Sequence, residues 1–383
     1  MDETKKARFI ALYLPQFHPV EANDKYWGKG FTEWTNVAKS KSLFKGHYQP
    51  RIPADLGFYD LRMPEIRKQQ AKLAKEAGIE GFCYWHYWFG NGQEVLQRPF
   101  DEVVQSGEPD FPFCLGWALH DWTTKTWNKE SALVKDSIIF KQSFLGDEDY
   151  ITHFYRLLDA FKDQRYITVD GKLLFSIYNP RMMPDPKHFM DLWNTLAELN
   201  GLPGFHFVCV VDSMPIISRE NIRDVDKTVD DNVEELKSLG FDAVELENHK
   251  YAEIRAGGKL KKIFFAVLRK VAPGVLIDKY DYSKIVKNMY SPSEEREDVY
   301  PQLIVGWDRS PRAGRNAIIY VNDTPDEFEK AVRIAIGCVQ NKEPEHRLIF
   351  LNSWNEWGEG AYMEPDLKYG KGKLDALRKV LMG

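Results

Sequence analysis

Short apolar runs recur along the chain and alternate with segments of helical periodicity. Several runs are nearly continuous in Val, Ile, Leu and Phe, which is typical of parallel strands buried on both faces. The runs cover residues 9–14, 81–85, 111–118, 173–178, 205–211, 241–246, 303–307 and 348–351. The helical segments cover residues 64–77, 148–162, 186–200, 233–239 and 325–340. Strands that alternate with helices predict a parallel sheet, and eight strands over this length predict an α/β fold of the (β/α)8 TIM-barrel type.

A doubly wound sheet is the main alternative to a barrel. A nucleotide-binding sheet of that kind has a Gly-rich phosphate loop after its first strand, whereas this first strand ends in Tyr13-Leu14-Pro15-Gln16-Phe17-His18. We find no internal repeat and no low-complexity linker, and therefore predict one catalytic domain over residues 1–383. Two long insertions, at about 15–60 and 248–300, are expected; the first should lie over the mouth of the barrel.

The second insertion contains a basic amphipathic stretch at residues 259–270. Such a helix can lie on a membrane surface, but more often it has a solvated basic face, so we do not expect membrane contact. No run approaches the length of about 18 apolar residues that a spanning helix needs. The N-terminal residues lack the apolar core of a signal peptide, so we expect a cytoplasmic protein.

Composition narrows the function. Aromatic residues reach 14% and many lie in polar surroundings, which indicates stacking surfaces for ring-shaped ligands. The formal net charge of −5 disfavours a general nucleic-acid role. The cysteines are Cys83, Cys114, Cys209 and Cys338. They are far apart and show no zinc-ligand spacing, so we predict buried free thiols, no metal and no cofactor.

The strongest chemical signal follows the last apolar run. It reads Asn352-Ser353-Trp354-Asn355-Glu356-Trp357-Gly358-Glu359-Gly360. Residues three apart on one helical turn have Cβ atoms about 5–6 Å apart, and glycosidases use two carboxyl groups about 5–10 Å apart. Because the two tryptophans would be wasteful on a solvated face, we predict that Glu356 and Glu359 are catalytic rather than an ordinary surface pair.

Polar and aromatic side chains follow the other strands as well. Active sites of such barrels lie at the C-terminal ends of the strands, and aromatic, carboxylate, amide and imidazole groups suit a sugar. The candidate substrate-binding residues are Tyr13, His18, Tyr84, His86, Trp88, Trp117, His120, Asp121, Tyr178, Trp307, Asp308, Trp354 and Asn355. Structural roles stay open: His86 could be a hydrogen-bonded core residue, and Asp308 could bind Arg312 or Arg309. We expect only one of Glu245 and Glu247 to face the lumen.

Seven segments together form a specific pattern. They are residues 11–19 (ALYLPQFHP), 27–37 (WGKGFTEWTNV), 46–50 (GHYQP), 55–60 (DLGFYD), 81–89 (GFCYWHYWF), 170–172 (DGK) and 354–360 (WNEWGEG). They resemble the WbsX-type proteins, which are similar to glycoside hydrolase family 99 and are often encoded with polysaccharide biosynthesis genes. The resemblance extends over most of the chain and adds Trp34 to the candidate substrate-binding residues.

The resemblance implies a (β/α)8 barrel and, from better-studied relatives, a retaining, metal-independent endo-α-mannosidase or endo-α-mannanase activity. Carried over, Glu356 would deprotonate the substrate 2-hydroxyl to give a 1,2-anhydro sugar. Glu359 would protonate the leaving oxygen and then activate water. This differs from the usual retaining route through a covalent glycosyl-enzyme. An acid that works near neutral pH needs a raised pKa, which burial or the charge of Glu356 would give to Glu359.

Two loops depart from the family pattern. The family's W-A-N-E-N-W-T is Trp117-Ala118-Leu119-His120-Asp121-Trp122-Thr123 here, and the following R-R-W is replaced by Thr124-Lys125-Thr126-Trp127. The family's W-D-N-T-P-R is Trp307-Asp308-Arg309-Ser310-Pro311-Arg312. We therefore expect altered glycan contacts in both loops.

The sequence predicts a retaining glycoside hydrolase with a carbohydrate substrate, and makes no prediction of oligomeric state. One alternative is a glycosyltransferase of surface-polysaccharide (O-antigen or lipopolysaccharide) biosynthesis; another is an inactive glycan-binding barrel. A sugar-nucleotide transferase needs a diphosphate site or a D-x-D metal motif, and Asp147-Glu148-Asp149 is better explained as a helix start. No G-x-S-x-G elbow and no H-E-x-x-H motif is present.

Overall fold

Eight parallel strands close into a barrel in this computed structural model, which describes residues 6–124, 137–214 and 221–383. The strands are β1 (Arg8–Tyr13), β2 (Gly81–Trp88), β3 (Phe113–Ala118), β4 (Lys172–Tyr178), β5 (Phe205–Asp212), β6 (Ala243–Glu247), β7 (Val299–Ile304) and β8 (Leu348–Asn352). Each strand pairs with the next in sequence order, and β8 pairs with β1. The predicted (β/α)8 barrel is confirmed.

Most strands lie close to their predicted positions, and β7 is the exception. The prediction began at residue 303, whereas the strand begins at Val299 and ends before Trp307. Pro301 lies within the strand, opposite Leu246 of β6. A proline argues against a central strand because it lacks a backbone donor, but its fixed φ is compatible with extended structure.

The helices of the described residues surround the barrel and fill its long connections. They are α1 (Glu21–Trp27), α2 (Glu33–Lys39), α3 (Pro64–Ala77), α4 (Arg98–Ser106), α5 (Asp147–Phe161), α6 (Pro186–Leu199), α7 (Val225–Ser238), α8 (His249–Gly257), α9 (Lys259–Val271), α10 (Tyr282–Lys287), α11 (Ser310–Ala313), α12 (Pro325–Val339) and α13 (Gly372–Met382). Short 3₁₀ helices cover Pro180–Met182, Pro292–Glu295, Gly314–Asn316, Pro344–His346 and Trp357–Glu359. Short strands outside the barrel are Glu94–Val95, Trp122–Thr123, Ile138–Phe140, Thr168–Val169, Asp278–Asp281, Ile318–Val321, Asn355–Glu356 and Ala361–Tyr362.

The predicted helices are all present, and α7 is longer than its apolar pattern indicated. It extends back to Val225 because the Asp224 side chain caps its start, accepting a hydrogen bond from the Lys227 amide at 3.1 Å. The acidic run at 147–149 begins α5, where its charge complements the helix dipole. None of the helices in the described part of the chain has the length and apolarity to cross a membrane.

A chain of polar side chains crosses the lumen beneath the mouth of the barrel. Gln302 of β7 donates to Glu245 of β6 at 2.7 Å and accepts from Asn352 of β8 at 3.0 Å. Burial raises the pKa of Glu245 to about 8, so this carboxyl is protonated at neutral pH. Glu247 also faces inward, so the expectation that only one of the two glutamates does so is wrong: strand residues two apart share a face.

The lumenal proton predicts a pH-dependent stability. The folded protein keeps the Glu245 proton to about pH 8, whereas an unfolded glutamate loses it near pH 4.5, so the free energy of unfolding should fall as pH rises between these values. Glu245→Gln removes this titration. At pH 8 its free energy of unfolding, measured by urea denaturation, should exceed that of the parent by on the order of 1 kcal/mol or more. The advantage should vanish near pH 5. Glu198→Gln, at an exposed helix position, is the control and should show no such dependence.

Candidate active site

An open cleft of about 710 Å³ lies where the barrel strands end. Residues from β2, β3, β4, β6 and β8 line it, together with the loops that follow β7 and β8. The lining side chains include Trp85, Tyr87, His120, Asp121, Tyr178, Glu247, Trp307, Arg309, Arg312, Asn352, Glu356 and Glu359. The cleft therefore combines aromatic faces with several carboxyl groups at the mouth of the barrel.

Glu356 and Glu359 meet in this cleft because of a tight turn after β8. Glu356 ends a short strand, and Glu359 ends the 3₁₀ helix Trp357–Glu359 that follows it. Residues three apart are eclipsed on a 3₁₀ helix, so both side chains project to the same side and their carboxyl groups are hydrogen-bonded to each other. Burial raises the pKa of Glu356 well above its ordinary value, and the neighbouring charge of Glu359 adds to the shift.

Arg312 lies behind the pair and touches three carboxyl groups. Its Nη1 is 2.7 Å from Glu359 Oε1 and 4.0 Å from Glu356 Oε2, and its Nε is 2.8 Å from Glu33 Oε1. Burial by itself would lower the pKa of Arg312, but the three carboxylates raise it above its ordinary value. The guanidinium therefore stays charged, as a buried cation can only where it is well paired.

Arg309 approaches the same carboxylate from the cleft. Its Nη2 is 2.9 Å from Glu359 Oε1, and its guanidinium lies 5.5 Å from the centre of the Trp307 ring. Its side chain is 27% exposed, against 5% for Arg312, so a ligand can reach it. Two guanidinium groups thus compensate a negative charge on Glu359, whereas Glu356 has only the contact with Arg312 at 4.0 Å.

The turn that carries the pair is clamped from several sides. Asn355 exchanges two hydrogen bonds with the backbone of Leu14, at 2.8 and 3.0 Å. The Asp308 amide donates to the Glu359 carbonyl at 2.6 Å. Gly358 leaves room for Glu33, because a Cβ at this position would lie 1.5 Å from Glu33 Oε1. The positions of both catalytic candidates are therefore set by residues from distant parts of the chain.

A second cavity of about 560 Å³ continues from the cleft past Trp307 and Arg309. The two cavities share Tyr178, Glu247, Trp307, Arg309 and Glu359. Burial, followed by the charges of Asp212 and Glu359, raises the pKa of Glu247 to about 8. Glu359 therefore stands at the junction of two connected spaces, so a ligand could extend to either side of it.

Comparison with known proteins assigns the chain to a family. A family model described as glycosyltransferase WbsX matches residues 9–377. The chain belongs to the WbsX family. Two proteins named uncharacterized protein WxcX, from the Xanthomonas campestris pv. campestris strains B100 and ATCC 33913, are 33% identical over 384 residues. These alignments cover 100% of this WbsX chain and 50% of the relatives, so the chain spans about half of their length.

Solved structures share the barrel of this WbsX chain. A glycoside hydrolase-like protein aligns with a TM-score of 0.61 at 14% identity, over 98% of this chain and 94% of its own. The GH99 endo-α-mannosidase from Bacteroides thetaiotaomicron aligns with a TM-score of 0.52 at 13% identity, over 98% and 95%. At these identities the likeness shows the fold. The resemblance indicated by the sequence motifs is confirmed.

Six predicted site residues of the WbsX chain line the cleft, and the other ten do not. Those in the cleft are Glu356, Glu359, His120, Asp121, Tyr178 and Trp307. Those elsewhere are Tyr13, His18, Trp34, Tyr84, His86, Trp88, Trp117, Asp308, Trp354 and Asn355. All ten are buried outside the lining of the cleft, so the structure does not bring them together with the carboxylate pair.

The predicted residues of β2 lie on the face of the strand that is turned away from the cleft. Tyr84, His86 and Trp88 point toward the helices, where His86 Nε2 is 2.8 Å from His153 Nε2 and Trp88 stacks on the same ring. The alternating residues Trp85 and Tyr87 face the cleft. The hydrogen-bonded core alternative for His86 was therefore right. Both faces of the strand are aromatic, so the pattern could not tell them apart.

The predicted site residues near β1 and β3 are also outside the cleft, and they are core residues. Tyr13 donates to Gln70 at 2.7 Å, and the Trp117 indole donates to the Trp88 carbonyl at 3.0 Å. His18 is almost fully buried, and this burial lowers its pKa to about 4, so the ring is neutral. These groups pack the layer outside or beneath the cleft.

The remaining four predicted residues outside the cleft stabilise the loops that surround it. Asp308 accepts hydrogen bonds from His47 at 2.8 Å and Gln49 at 2.7 Å rather than binding the neighbouring arginines. Burial alone would raise the pKa of Asp308, but the hydrogen bond with His47 and the charge of Arg51, 4.0 Å away, bring it below its ordinary value. Trp34 packs on Trp357 at 5.4 Å, and Trp354 and Asn355 are buried in the turn.

The candidate site residues from the sequence do not include Trp85, Tyr87, Arg309, Arg312 or Asn352, and include Glu247 only as an alternative. Both arginines could have been predicted from the sequence, because they lie within the family motif at residues 307–312. The replaced positions 125–127 of the other altered loop lie outside the described residues. In the part of the chain that the structure describes, no cluster of three or more His, Cys, Asp or Glu side chains could hold a metal ion.

The fit between Gly358 and Glu33 predicts a severe effect of one methyl group. Gly358→Ala should displace Glu33 or the turn and lower the free energy of unfolding by about 2 kcal/mol or more. Gly337→Ala is the matched control: Gly337 lies in α12 with no atom within 4 Å of an added Cβ, so it should stabilise by about 0.5–1 kcal/mol. Urea denaturation measures both. Equal stabilities of the two variants would contradict the packing described for the turn.

Proposed function

We propose that this chain is a retaining glycoside hydrolase that acts on an α-linked, mannose-like glycan. The observation that supports it is the meeting of Glu356 and Glu359 in an open cleft of about 710 Å³ with aromatic walls. A space of this size accommodates a small ligand of several rings. Trp85, Tyr178 and Trp307 offer faces for sugar rings, and the carboxyl groups supply acid and base.

The proposed reaction uses the substrate's own 2-hydroxyl as nucleophile. Glu356 takes the proton of this hydroxyl while its oxygen bonds to C1, and Glu359 gives a proton to the leaving glycosidic oxygen. Glu359 then takes a proton from water, whose oxygen opens the 1,2-anhydro ring at C1, and Glu356 returns a proton to the 2-oxygen. Each carboxyl group ends the cycle as it began, and two displacements at C1 retain its configuration.

This cycle requires a proton shift when substrate binds. In the empty cleft the proton of the pair belongs on Glu356, because burial raises its pKa and two guanidiniums compensate the charge of Glu359. We propose that a glycan hydroxyl or ring displaces the half-exposed Arg309 from Glu359. With one cation removed, the hydrogen bond between the two carboxyl groups gives the proton a direct path to Glu359.

A glycosyltransferase is the second candidate, since the matching family model carries that description. A sugar nucleotide would need cations free to bind its diphosphate. In the cleft Arg309 and Arg312 are each engaged by carboxylates, and Asp121 adds a further carboxyl group. The charge balance of the cleft therefore favours a neutral glycan, and hydrolysis, over a nucleotide donor.

The pair is tested by single amide variants. Glu359→Gln and Glu356→Gln should each lower kcat by at least about 10²-fold on α-mannan fragments, because an amide can neither give nor take the required proton. Glu359→Gln should recover activity on substrates with an acidic leaving group, which needs no protonation, whereas Glu356→Gln should not. Full activity of either variant would remove that residue from the reaction.

Product analysis separates the candidate functions. The parent protein is incubated with α-mannan fragments and, separately, with labelled sugar nucleotides and acceptors. Release of a reducing sugar with retained configuration supports the proposal, and transfer from a nucleotide contradicts it. Binding of fragments without turnover in either assay would make the chain a glycan-binding barrel.

Arg309 predicts a shift in the pH profile. A nearby cation favours the charged form of a carboxyl group, so Arg309→Asn should raise the pKa of the acid in the active enzyme. The acid then stays protonated to higher pH, and the alkaline limb of kcat/KM should move up by on the order of one pH unit. Arg315→Asn is the control, because Arg315 binds only backbone carbonyls in the described contacts. An unmoved limb in Arg309→Asn would contradict the proposed coupling.

A further inference from the structure

Helix α9 exposes a continuous apolar face to solvent. Leu260 is 85% exposed, Phe264 51%, Val267 54% and Val271 73%. These residues recur every three or four positions, so they form one stripe along the helix. The loop that follows adds Val275 and Leu276, at 60% and 51% exposure. A soluble domain rarely leaves an apolar stripe of this length without a function.

The opposite face of α9 is charged and is turned into the protein. Lys261 lies 3.5 Å and Arg269 3.1 Å from the buried carboxylate of Asp278. Lys262 is buried and forms an ion pair with Glu253. A surface helix normally turns its apolar stripe to the core and its charges to water. Helix α9 does the reverse, and the expectation of a solvated basic face is not met for these three residues.

The surroundings of the stripe carry a strong positive charge. Between residues 255 and 287 the chain has nine Lys and Arg residues and two Asp residues, whereas its overall net charge is −5. Three of the nine are the paired cations of the inner face, and the other six lie outside it. Lys259 and Lys270 stand at the two ends of the stripe and are exposed. Long basic side chains at such positions can extend to lipid phosphates while neighbouring apolar groups enter the acyl region.

Against the expectation from the sequence that this stretch makes no membrane contact, we propose that α9 docks the protein on an anionic lipid surface, lying in the plane of the membrane interface. Aliphatic and Phe side chains flanked by lysines match that surface. A protein partner fits less well, because protein interfaces are depleted in lysine. The attachment is peripheral, and it does not depend on the proposed hydrolase reaction.

The docking helix also forms part of the wall of the second cavity. Lys262 and Arg269, on its inner face, line the cavity that joins the cleft at Glu359. A membrane contact through the outer face therefore brings this cavity close to the lipid headgroups. A glycan anchored in the same membrane would reach the carboxylate pair from that side.

Vesicle flotation with the full chain tests the docking. The probes are vesicles of phosphatidylcholine alone and vesicles with roughly one third phosphatidylglycerol. The protein should float with the anionic vesicles and far less with the neutral ones. Phe264→Ser combined with Val267→Ser should lower the bound-to-free ratio by about tenfold or more. Lys259→Glu combined with Lys270→Glu should lower it by about tenfold on anionic vesicles and leave neutral vesicles unaffected.

The controls separate docking from folding, catalysis and self-association. Leu199→Ser with Leu367→Ser removes apolar side chains of 74% and 68% exposure on other surfaces and should float like the parent. Glu359→Gln should also float like the parent, so failure of the hydrolase proposal leaves this test intact. Absence of flotation would overturn the docking proposal. So would a dimer, seen by light scattering, that the Phe264 and Val267 substitutions dissociate, because a second copy would then cover the stripe.

Discussion

The buried guanidinium of Arg312 is the contact on which the arrangement of the cleft depends. It joins Glu33 from the first insertion to Glu356 and Glu359 from the turn after β8. Three elements far apart in sequence therefore meet at one cation. Removing the cation would leave buried carboxylates without compensation, which costs several kcal/mol. The network explains why a polar, charged site can exist where the surrounding side chains are almost all buried.

The same network gives the two carboxyl groups of the pair different surroundings. Glu359 is held by Arg312 from behind and by Arg309 from the cleft, while Glu356 has only a distant contact with Arg312. Charge compensation thus differs between two neighbouring glutamates, and unequal surroundings are a common way of giving two carboxyl groups different roles. Arg309 is the accessible member of the network, and it occupies the position where the family pattern has Asn.

The second insertion relates the site to the surface. Helix α9 directs its charged residues to the wall of the second cavity and its apolar residues to solvent. Its inner face is stable because each cation finds a carboxylate, Asp278 or Glu253, in a buried position. Its outer face is covered by no other element within the described residues. Exposure of this apolar surface to water is unfavourable. One helix therefore supplies cations to the second cavity on one side and an exposed apolar surface on the other.

The sequence by itself determined the barrel, because continuous apolar runs alternating with helices have few other ways to bury both faces of each strand. It also determined the carboxylate pair, since a three-residue spacing at a strand end is local. Only the tertiary structure decided that Trp85 rather than Tyr84 faces the cleft, that Arg312 joins Glu33 to the pair, and that α9 turns three of its cations inward. A period of two does not say which face is inner when both are aromatic, and ion pairs between distant segments have no local signature. Those choices depend on which partners the folded chain brings within a few ångströms.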